Sequence, residues 1–130
     1  MNFTFPKKER ICSKIIIDKL FSGGNTAMTV FPLRAIFMTE PLKDNDKYPV
    51  QVLISVSKRR MHHAVDRNRI KRQIREMYRL NKNQLVQSCN EHGMKLYIAF
   101  ISLADEPCDT VKVEKSMIKL LRKTQEKINS

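Results

Sequence analysis

Basic side chains crowd into residues 58–82, and they are the clearest chemical feature of the sequence. This segment holds ten Lys or Arg but only two acids, which leaves a local charge of +8. The other 105 residues carry only +4 of the total of +12. So concentrated a charge repels itself, and a polyanionic partner would relieve that repulsion. Nucleic acid is the first candidate partner, and an anionic membrane surface is the second.

The spacing within AVDRNRIKRQIREMYRL, residues 64–80, predicts a helix with a narrow apolar side. At about 100° per residue, Ile70, Ile74 and Met77 fall within one arc that would face a core. The remaining girth carries the polar set Arg67, Asn68, Arg69, Lys71, Arg72, Arg75 and Arg79. A solvated helix would interleave acids at i,i+4, but like charges meet here and destabilise the free helix. The pattern therefore favours a polyanion-binding surface.

The residue types in this helix favour nucleic acid over lipid. Arginine predominates, and its planar fork suits bidentate phosphate contacts and stacking on bases. A membrane-surface helix would need a broader, bulkier apolar side than three residues supply.

Protein-based catalysis is not predicted, because its usual groups are scattered. The acids cluster only in two loops, as Glu40, Asp44 and Asp46 and as Asp105, Glu106 and Asp109. We interpret both as solvated loops rather than metal sites. His62 and His63 are adjacent and would point apart on an extended chain, and the three widely spaced cysteines suggest neither a disulfide framework nor a zinc site. No catalytic residue, bound metal or cofactor is expected.

Length and composition predict one domain over residues 1–130, with fraying at about 1–8 and 126–130. The hydrophobic fraction of 42% is sufficient for a core. No apolar run approaches the ~20 residues of a membrane span, and the N-terminus lacks a signal-peptide pattern. We therefore expect a cytoplasmic protein with no membrane association and no obligate protein partner.

The elements that must position the basic helix alternate between helix and strand periodicity. Ser13 can cap a first helix that Gly23 and Gly24 end. Residues 28–38 alternate as a strand in which Pro32 indicates an edge, and 40–49 resemble a hairpin-like connection. The other predictions are strands at 50–57 and 95–103 and helices at 65–80 and 110–128, the first of which can continue a further turn or two through 86. The order α-β-β-α-β-α predicts an α+β fold, one sheet with helices packed on it, in which an additional strand or helix is allowed.

Two motifs in this order resemble the bacterial ribonuclease P protein component. The match covers ISVSKRRMHHAVDRNRIKRQIREMYR, residues 54–79, and KKERI with DKLFSGG within residues 7–24. The resemblance implies a single-domain α/β sandwich similar to the second domain of ribosomal protein S5, with a left-handed βαβ crossover. Two departures stand out: the loop RRMHH lacks the family's common glycine, and Ile17 occupies a position that is often aromatic.

The resemblance also implies a function: assisting a catalytic RNA that removes the 5′ leader of precursor tRNA. The implied partners are ribonuclease P RNA and precursor tRNA, and Mg²⁺ is required by the RNA subunit. The polar set from Arg67 to Arg79 would bind this RNA. A cleft between the first helix and the sheet would bind the leader through Phe21, Phe37, Ser57 and Lys58. Simple core packing remains an equal alternative for the two phenylalanines.

Other functional classes stay open at this stage. A structural RNA-binding protein of ribosomal type would share the basic helix but would need no leader cleft. A duplex-DNA reader usually has two-fold symmetry, and no dimerisation stripe is evident. A protein nuclease would need grouped carboxylates.

Overall fold

The computed structural model describes residues 5–130, which form one four-stranded sheet with helices on both faces. In chain order the elements are a 3₁₀ turn at Lys7–Glu9, α1 (Lys14–Phe21), β1 (Thr26–Val30), β2 (Leu33–Pro41), β3 (Val50–Val56), α2 (Ala64–Asn81), α3 (Asn83–Glu91), β4 (Met94–Ser102) and α4 (Thr110–Asn129). This mixed architecture confirms the predicted α+β class.

The strands are ordered β1-β2-β4-β3, so the last strand in the chain lies between β2 and β3. β4 pairs antiparallel with β2 and parallel with β3. A parallel neighbour requires a long crossover, and α2 and α3 supply it. The handedness implied by the resemblance stays a prediction.

Two local predictions about the strands were wrong. Residues 28–38 are not one strand, because the chain turns at Phe31–Pro32 and pairs Val30 with Leu33. Proline lacks the amide donor that would continue a ladder, which explains a break at this position. The segment 40–49 does not join a hairpin either, since β2 and β3 each pair with β4 rather than with one another.

The larger core lies between one face of the sheet and α2, α3 and α4. On that face β2 contributes Leu33, Ala35 and Phe37, while β3 and β4 contribute alternate aliphatic side chains. Phe100 is fully buried, and its ring lies 5.9 Å from that of Tyr78 on α2. Burying this apolar surface is the main contribution to stability.

Among residues 5–130, α1 is the one helix on the opposite face, where it packs over a smaller core. Leu20 of α1 and Ile11 pack against Tyr97 and Ala99 of β4. Ser13 caps the helix by accepting a hydrogen bond from the Ile16 amide at 3.4 Å. With eight residues, α1 is too short to cover the whole face.

At the C-terminal end, α4 continues to Asn129, and Ile128 is 3% exposed, so this side chain packs the last turn against the core. The fraying expected at 126–130 stays a prediction. The fraying predicted for 1–8 falls partly on residues 1–4, which lie outside the described residues. Within 5–8, Lys7 begins a 3₁₀ turn.

Candidate nucleic-acid interface

α2 presents its apolar side to the core and its charges to the outside, as its periodicity requires. Ile70, Ile74, Met77 and Tyr78 are buried. Asn68, Arg69 and Arg72 are exposed on the other side, and Lys71 and Arg75 are half-buried between the two. The predicted geometry of this helix is therefore confirmed.

Four of the predicted cations remain available for a partner. Within residues 5–130, Arg69, Lys71, Arg72 and Arg75 have no ion pair or side-chain hydrogen bond. The Nε of Arg75 is buried without an acceptor. A buried donor of this kind is costly unless something accepts from it. Together these residues form what we call the α2 cationic face.

Several other basic residues of the segment 58–82 have partners within the protein. Arg79 contacts Glu76, with Nε 3.2 Å from a carboxylate oxygen. Hydrogen bonding to Glu76 raises the pKa of Arg79 and lowers that of its partner. Arg60 reaches Asp105 at 3.5 Å. These pairings reduce the number of cations that can neutralise phosphate.

Arg67 is positioned differently from its neighbours in the motif. Its guanidinium donates to the carbonyl oxygens of Met61 at 3.0 Å and His62 at 2.8 Å. The loop is also held by Ser57, whose carbonyl accepts from the Met61 amide at 3.1 Å. Arg67 therefore supports the loop that lacks the family glycine.

Replacing Arg67 by alanine is expected to lower the free energy of unfolding by about 1–3 kcal/mol, because the loop carbonyls of Met61 and His62 lose a charged donor. Arg72→Ala is the matched control: its side chain is exposed, and its removal should change stability by less than about 0.5 kcal/mol. Urea unfolding of both variants measures the difference. Equal stability of the two variants would contradict this role for Arg67.

α1 leaves part of this sheet face uncovered, and we call the uncovered surface beside α1 the cleft. Strand register places two rows of side chains on this face. One row is Leu53, Ala99, Ile36 and Ala27, and the next is Ser55, Ile101, Arg34 and Thr29. α1 covers Leu53 and Ala99, whereas Arg34 and Thr29 are exposed and Ile101 is half-buried. The uncovered surface thus mixes the half-buried apolar side chains of Ile36 and Ile101 with polar groups such as Ser55, Arg34 and Thr29.

Three of the four residues predicted for the cleft are exposed or half-buried, and their role there stays a prediction. Phe21 ends α1 and is 46% exposed, a high value for a phenylalanine. Ser57 and Lys58 follow β3 directly, at the strand ends that border the second row. The Ser57 hydroxyl accepts from the Arg59 amide at 3.1 Å, while Lys58 is exposed.

Phe37 does not lie in the cleft, and its assignment there was wrong. Its side chain packs with Leu33 and Ala35 in the larger core and is 7% exposed. Successive side chains of a strand point to opposite faces. Ile36 therefore takes the position facing α1 that had been assigned to Phe37.

Sequence reasoning missed Ile36, Ser55, Ile101 and Arg34 as cleft residues. The alternation of β2 already placed Arg34 and Ile36 on the face opposite to Phe37. The prediction assigned the face that carries Phe37 to the cleft, because an aromatic ring can stack on bases. Arg34 was the available signal in the sequence. A charged residue is unusual on a strand face that is fully buried, so it indicated that the face with Arg34 and Ile36 is the partly open one.

On the other side of α1 the charged groups neutralise one another. Lys95 donates to Asp46 at 2.7 Å, and the Tyr97 hydroxyl donates to Glu40 at 2.9 Å. Burial would raise the pKa of Asp46, but hydrogen bonds from Lys95 and the Tyr48 amide hold it below its usual range. Burial, helped by Glu40, raises the pKa of Tyr97 to about 12. Lys95, Asp46 and Glu40 are therefore engaged with partners inside the protein on this side of α1.

The described residues contain no group of three His, Cys, Asp or Glu arranged to hold a metal ion. Burial raises the pKa of the Cys89 thiol to about 12, which makes this cysteine an unreactive core residue. In the part of the chain that the structure describes, no helix is both long and apolar enough to cross a membrane.

Comparison with known proteins identifies the relatives of this chain. The ribonuclease P family matches residues 5–125. The ribonuclease P protein component of Porphyromonas gingivalis is 37% identical over 119 residues, which cover 92% of this chain and 85% of that protein. The component of Chlorobaculum tepidum is 40% identical, with coverage of 77% and 69%.

Solved structures agree on the fold. The Staphylococcus aureus ribonuclease P protein superposes with a TM-score of 0.66 at 20% identity, covering 88% of this chain and 93% of that one. A mutant of the S. aureus protein with defective mRNA degradation activity gives 0.68 at 22% identity, covering 92% and 90%. The sequence match over nearly the whole chain carries the assignment: this chain belongs to the ribonuclease P protein family.

Proposed function

We propose that this chain is the protein subunit of a bacterial ribonuclease P. In this proposal the α2 cationic face binds the catalytic RNA, and the cleft beside α1 binds the 5′ leader of precursor tRNA. The observation that carries the proposal is the combination of these two surfaces on one small chain. A ribosomal-type RNA-binding protein would need only the first surface.

The α2 cationic face suits structured RNA because its charges are fixed by a packed helix. Arg69 and Arg72 are exposed, and Lys71 and Arg75 line a groove of ≈ 240 Å³ that Arg10 and Phe5 close on the other side. Arginine forks match phosphate oxygens bidentately. Cations held on a rigid element lose little conformational freedom on binding.

The cleft suits a single strand better than a duplex. Its floor includes the apolar side chains of Ile36 and Ile101, Phe21 is an exposed ring at the end of α1, and Arg34 and Lys58 supply exposed positive charge. Proteins bind single strands by this combination of base stacking and a charged backbone track. A leader in the cleft would extend substrate contact beyond the catalytic RNA.

The chemistry of cleavage is assigned to the RNA and its Mg²⁺ ions. Two-metal phosphodiester hydrolysis needs closely spaced ligands, which RNA phosphates can supply. The role of this chain is to neutralise phosphate, support the active RNA conformation and hold the leader. The isolated protein is accordingly expected to cleave little or no precursor tRNA.

The experiment is cleavage of precursor tRNA at low Mg²⁺ by a bacterial ribonuclease P RNA, with and without this protein. Comparing a substrate that has a long leader with one that has a single-nucleotide leader distinguishes the contribution of the cleft from that of the α2 cationic face. We expect stimulation of both substrates and tighter binding of the long-leader substrate. No stimulation, together with tight binding to ribosomal RNA, would refute the proposal in favour of a structural RNA-binding role.

Reversing the charge of Arg34 is expected to weaken binding of the long-leader substrate by about tenfold, because a carboxylate would repel the leader phosphates. Binding of the single-nucleotide substrate should stay within about twofold. Arg122→Glu, an equally exposed change on α4, is the control and should affect both substrates alike. Equal losses for both substrates with Arg34→Glu would exclude the cleft as the leader site.

A further inference from the structure

A buried ion pair joins the N-terminal segment to the end of α2. Lys82 Nζ donates to both carboxylate oxygens of Glu9, at 2.8 and 2.7 Å. The two side chains are 2% and 9% exposed. Removing two charges from water is costly, and such pairs often serve to define one arrangement rather than to add stability.

The positions of the two partners connect the two proposed binding surfaces. Lys82 lies between α2 and α3, at the end of the helix that carries the α2 cationic face. Glu9 ends the 3₁₀ turn, only a few residues before Ser13 caps α1. The pair therefore links the RNA-binding helix to the helix that forms one wall of the cleft.

The segment between Glu9 and α1 is short and bonded along its length. Arg10 bridges to Val52, and the Ile11 amide donates to the Val52 carbonyl at 2.9 Å. Gln51 Nε2 donates to the Lys8 carbonyl at 2.8 Å. A single isolated β-bridge and these hydrogen bonds thus tie the segment to β3, and the position of this tie sets where α1 begins.

Aromatic contacts support the same docking. The Phe5 ring lies edge-on to Tyr78 of α2 with centroids 5.4 Å apart, and the Arg10 guanidinium lies 5.3 Å from the Phe5 centroid. Beyond the segment, α1 itself rests on a small core that includes Leu20 and Ile11. A core of this size makes the position of α1 sensitive to how the segment is anchored.

We propose that Glu9 and Lys82 are positioning residues for the leader cleft. They touch no substrate in this proposal: the pair anchors the N-terminal segment on α2, and this anchor sets the register of α1 and hence the width of the cleft. The inference rests on the proposed function of the cleft. It also predicts a structural effect on α1 that does not depend on that function.

The test uses Glu9→Gln and Lys82→Met in the complex with ribonuclease P RNA. We expect the affinity ratio between long-leader and single-nucleotide substrates to fall by about tenfold, the equivalent of one stacked base. Binding of the RNA subunit should change by less than about threefold, since the α2 cationic face is intact. Glu114→Gln and Lys123→Met remove the same charges from exposed positions and should change neither quantity.

Two further measurements distinguish positioning from general stabilisation. Hydrogen exchange of the α1 amides in the free protein should accelerate in both variants, while the amides of β4 stay protected. The double variant Glu9→Met with Lys82→Met leaves no unpaired buried charge, so it should restore both α1 protection and the leader ratio.

Unchanged α1 exchange and an unchanged leader ratio in the single variants would overturn the inference. If a single variant unfolds throughout, the double variant decides: failure to restore the ratio in a folded double variant also overturns it. If the wild-type complex bound long-leader and single-nucleotide substrates equally well, the proposed function of the cleft would be refuted instead. Hydrogen exchange of the α1 amides would still show whether the Glu9–Lys82 pair anchors the N-terminal segment.

Discussion

Replacing Arg69, Arg72 and Arg75 together by glutamine is expected to abolish stimulation of precursor-tRNA cleavage at low Mg²⁺. These side chains have no ion pair within the described residues, so their loss costs the fold little. Each phosphate contact contributes to affinity through release of counterions from the RNA. We expect affinity for the RNA subunit to fall on the order of a hundredfold or more at moderate salt.

The salt dependence of binding identifies the cause of this loss. Three lost phosphate contacts should reduce the slope of log K against log salt by about 2 to 3 units. Filter binding or fluorescence titration over a series of salt concentrations measures this slope. A large loss of affinity with an unchanged slope would point to a lost shape contact instead.

A matched control removes the same charge from another helix. Lys115, Lys119 and Arg122 are exposed on α4, and replacing all three by glutamine lowers the net charge equally. If RNA binding depended on net charge alone, both triple variants would bind equally weakly. We expect the α4 variant to retain stimulation, with a small uniform loss of affinity from weaker long-range attraction.

Phe37→Ala is expected to lower the free energy of unfolding by about 3–5 kcal/mol, whereas Phe21→Ala should cost about 1 kcal/mol. Phe37 is 7% exposed in the larger core, so its removal leaves a cavity that the sheet cannot close. Phe21 is 46% exposed, so little buried area is lost. Such a loss at Phe37 is a large share of the stability of a small domain.

The same two variants should affect leader binding in the opposite order. Phe21→Ala removes a stacking surface and should weaken binding of the long-leader substrate by about 1–3 kcal/mol. Phe37→Ala, assayed well below its melting temperature, should leave leader affinity near that of the wild type. Urea unfolding in phosphate buffer, where anions offset the charge of +12, and substrate titration provide the two measurements. A leader defect confined to Phe37→Ala would contradict the assignment of Phe37 to the core.

Periodicity predicted α1, α2, α4 and most strand positions, but neither α3 as a separate helix nor the pairing of the strands. The apolar arc of α2 and the alternation of β2 are properties of single elements, readable from neighbouring residues. The placement of β4 between β2 and β3 depends on contacts between residues far apart in the chain. The hairpin expected at 40–49 failed for this reason, because a local loop pattern does not say which strand lies alongside.

The candidate site also has features that the sequence predicts and features that only the structure shows. The concentration of charge between residues 58 and 82 was visible in the sequence, and so were the motifs that placed the chain in its family. The sequence could not distinguish Arg69, which has no partner among the described residues, from Arg67, which holds the loop carbonyls of Met61 and His62. Both have the same residue type and lie in the same motif.

By itself the sequence determined the charge pattern, the types of the main elements and the family, because composition and short-range spacing encode all three. Only the tertiary structure decided which face of β2 meets α1, and so moved the cleft position from Phe37 to Ile36. It also brought Glu9 to Lys82 across the chain. The physical reason is that local periodicity relates side chains within one element, whereas burial depends on which surfaces the whole chain brings together.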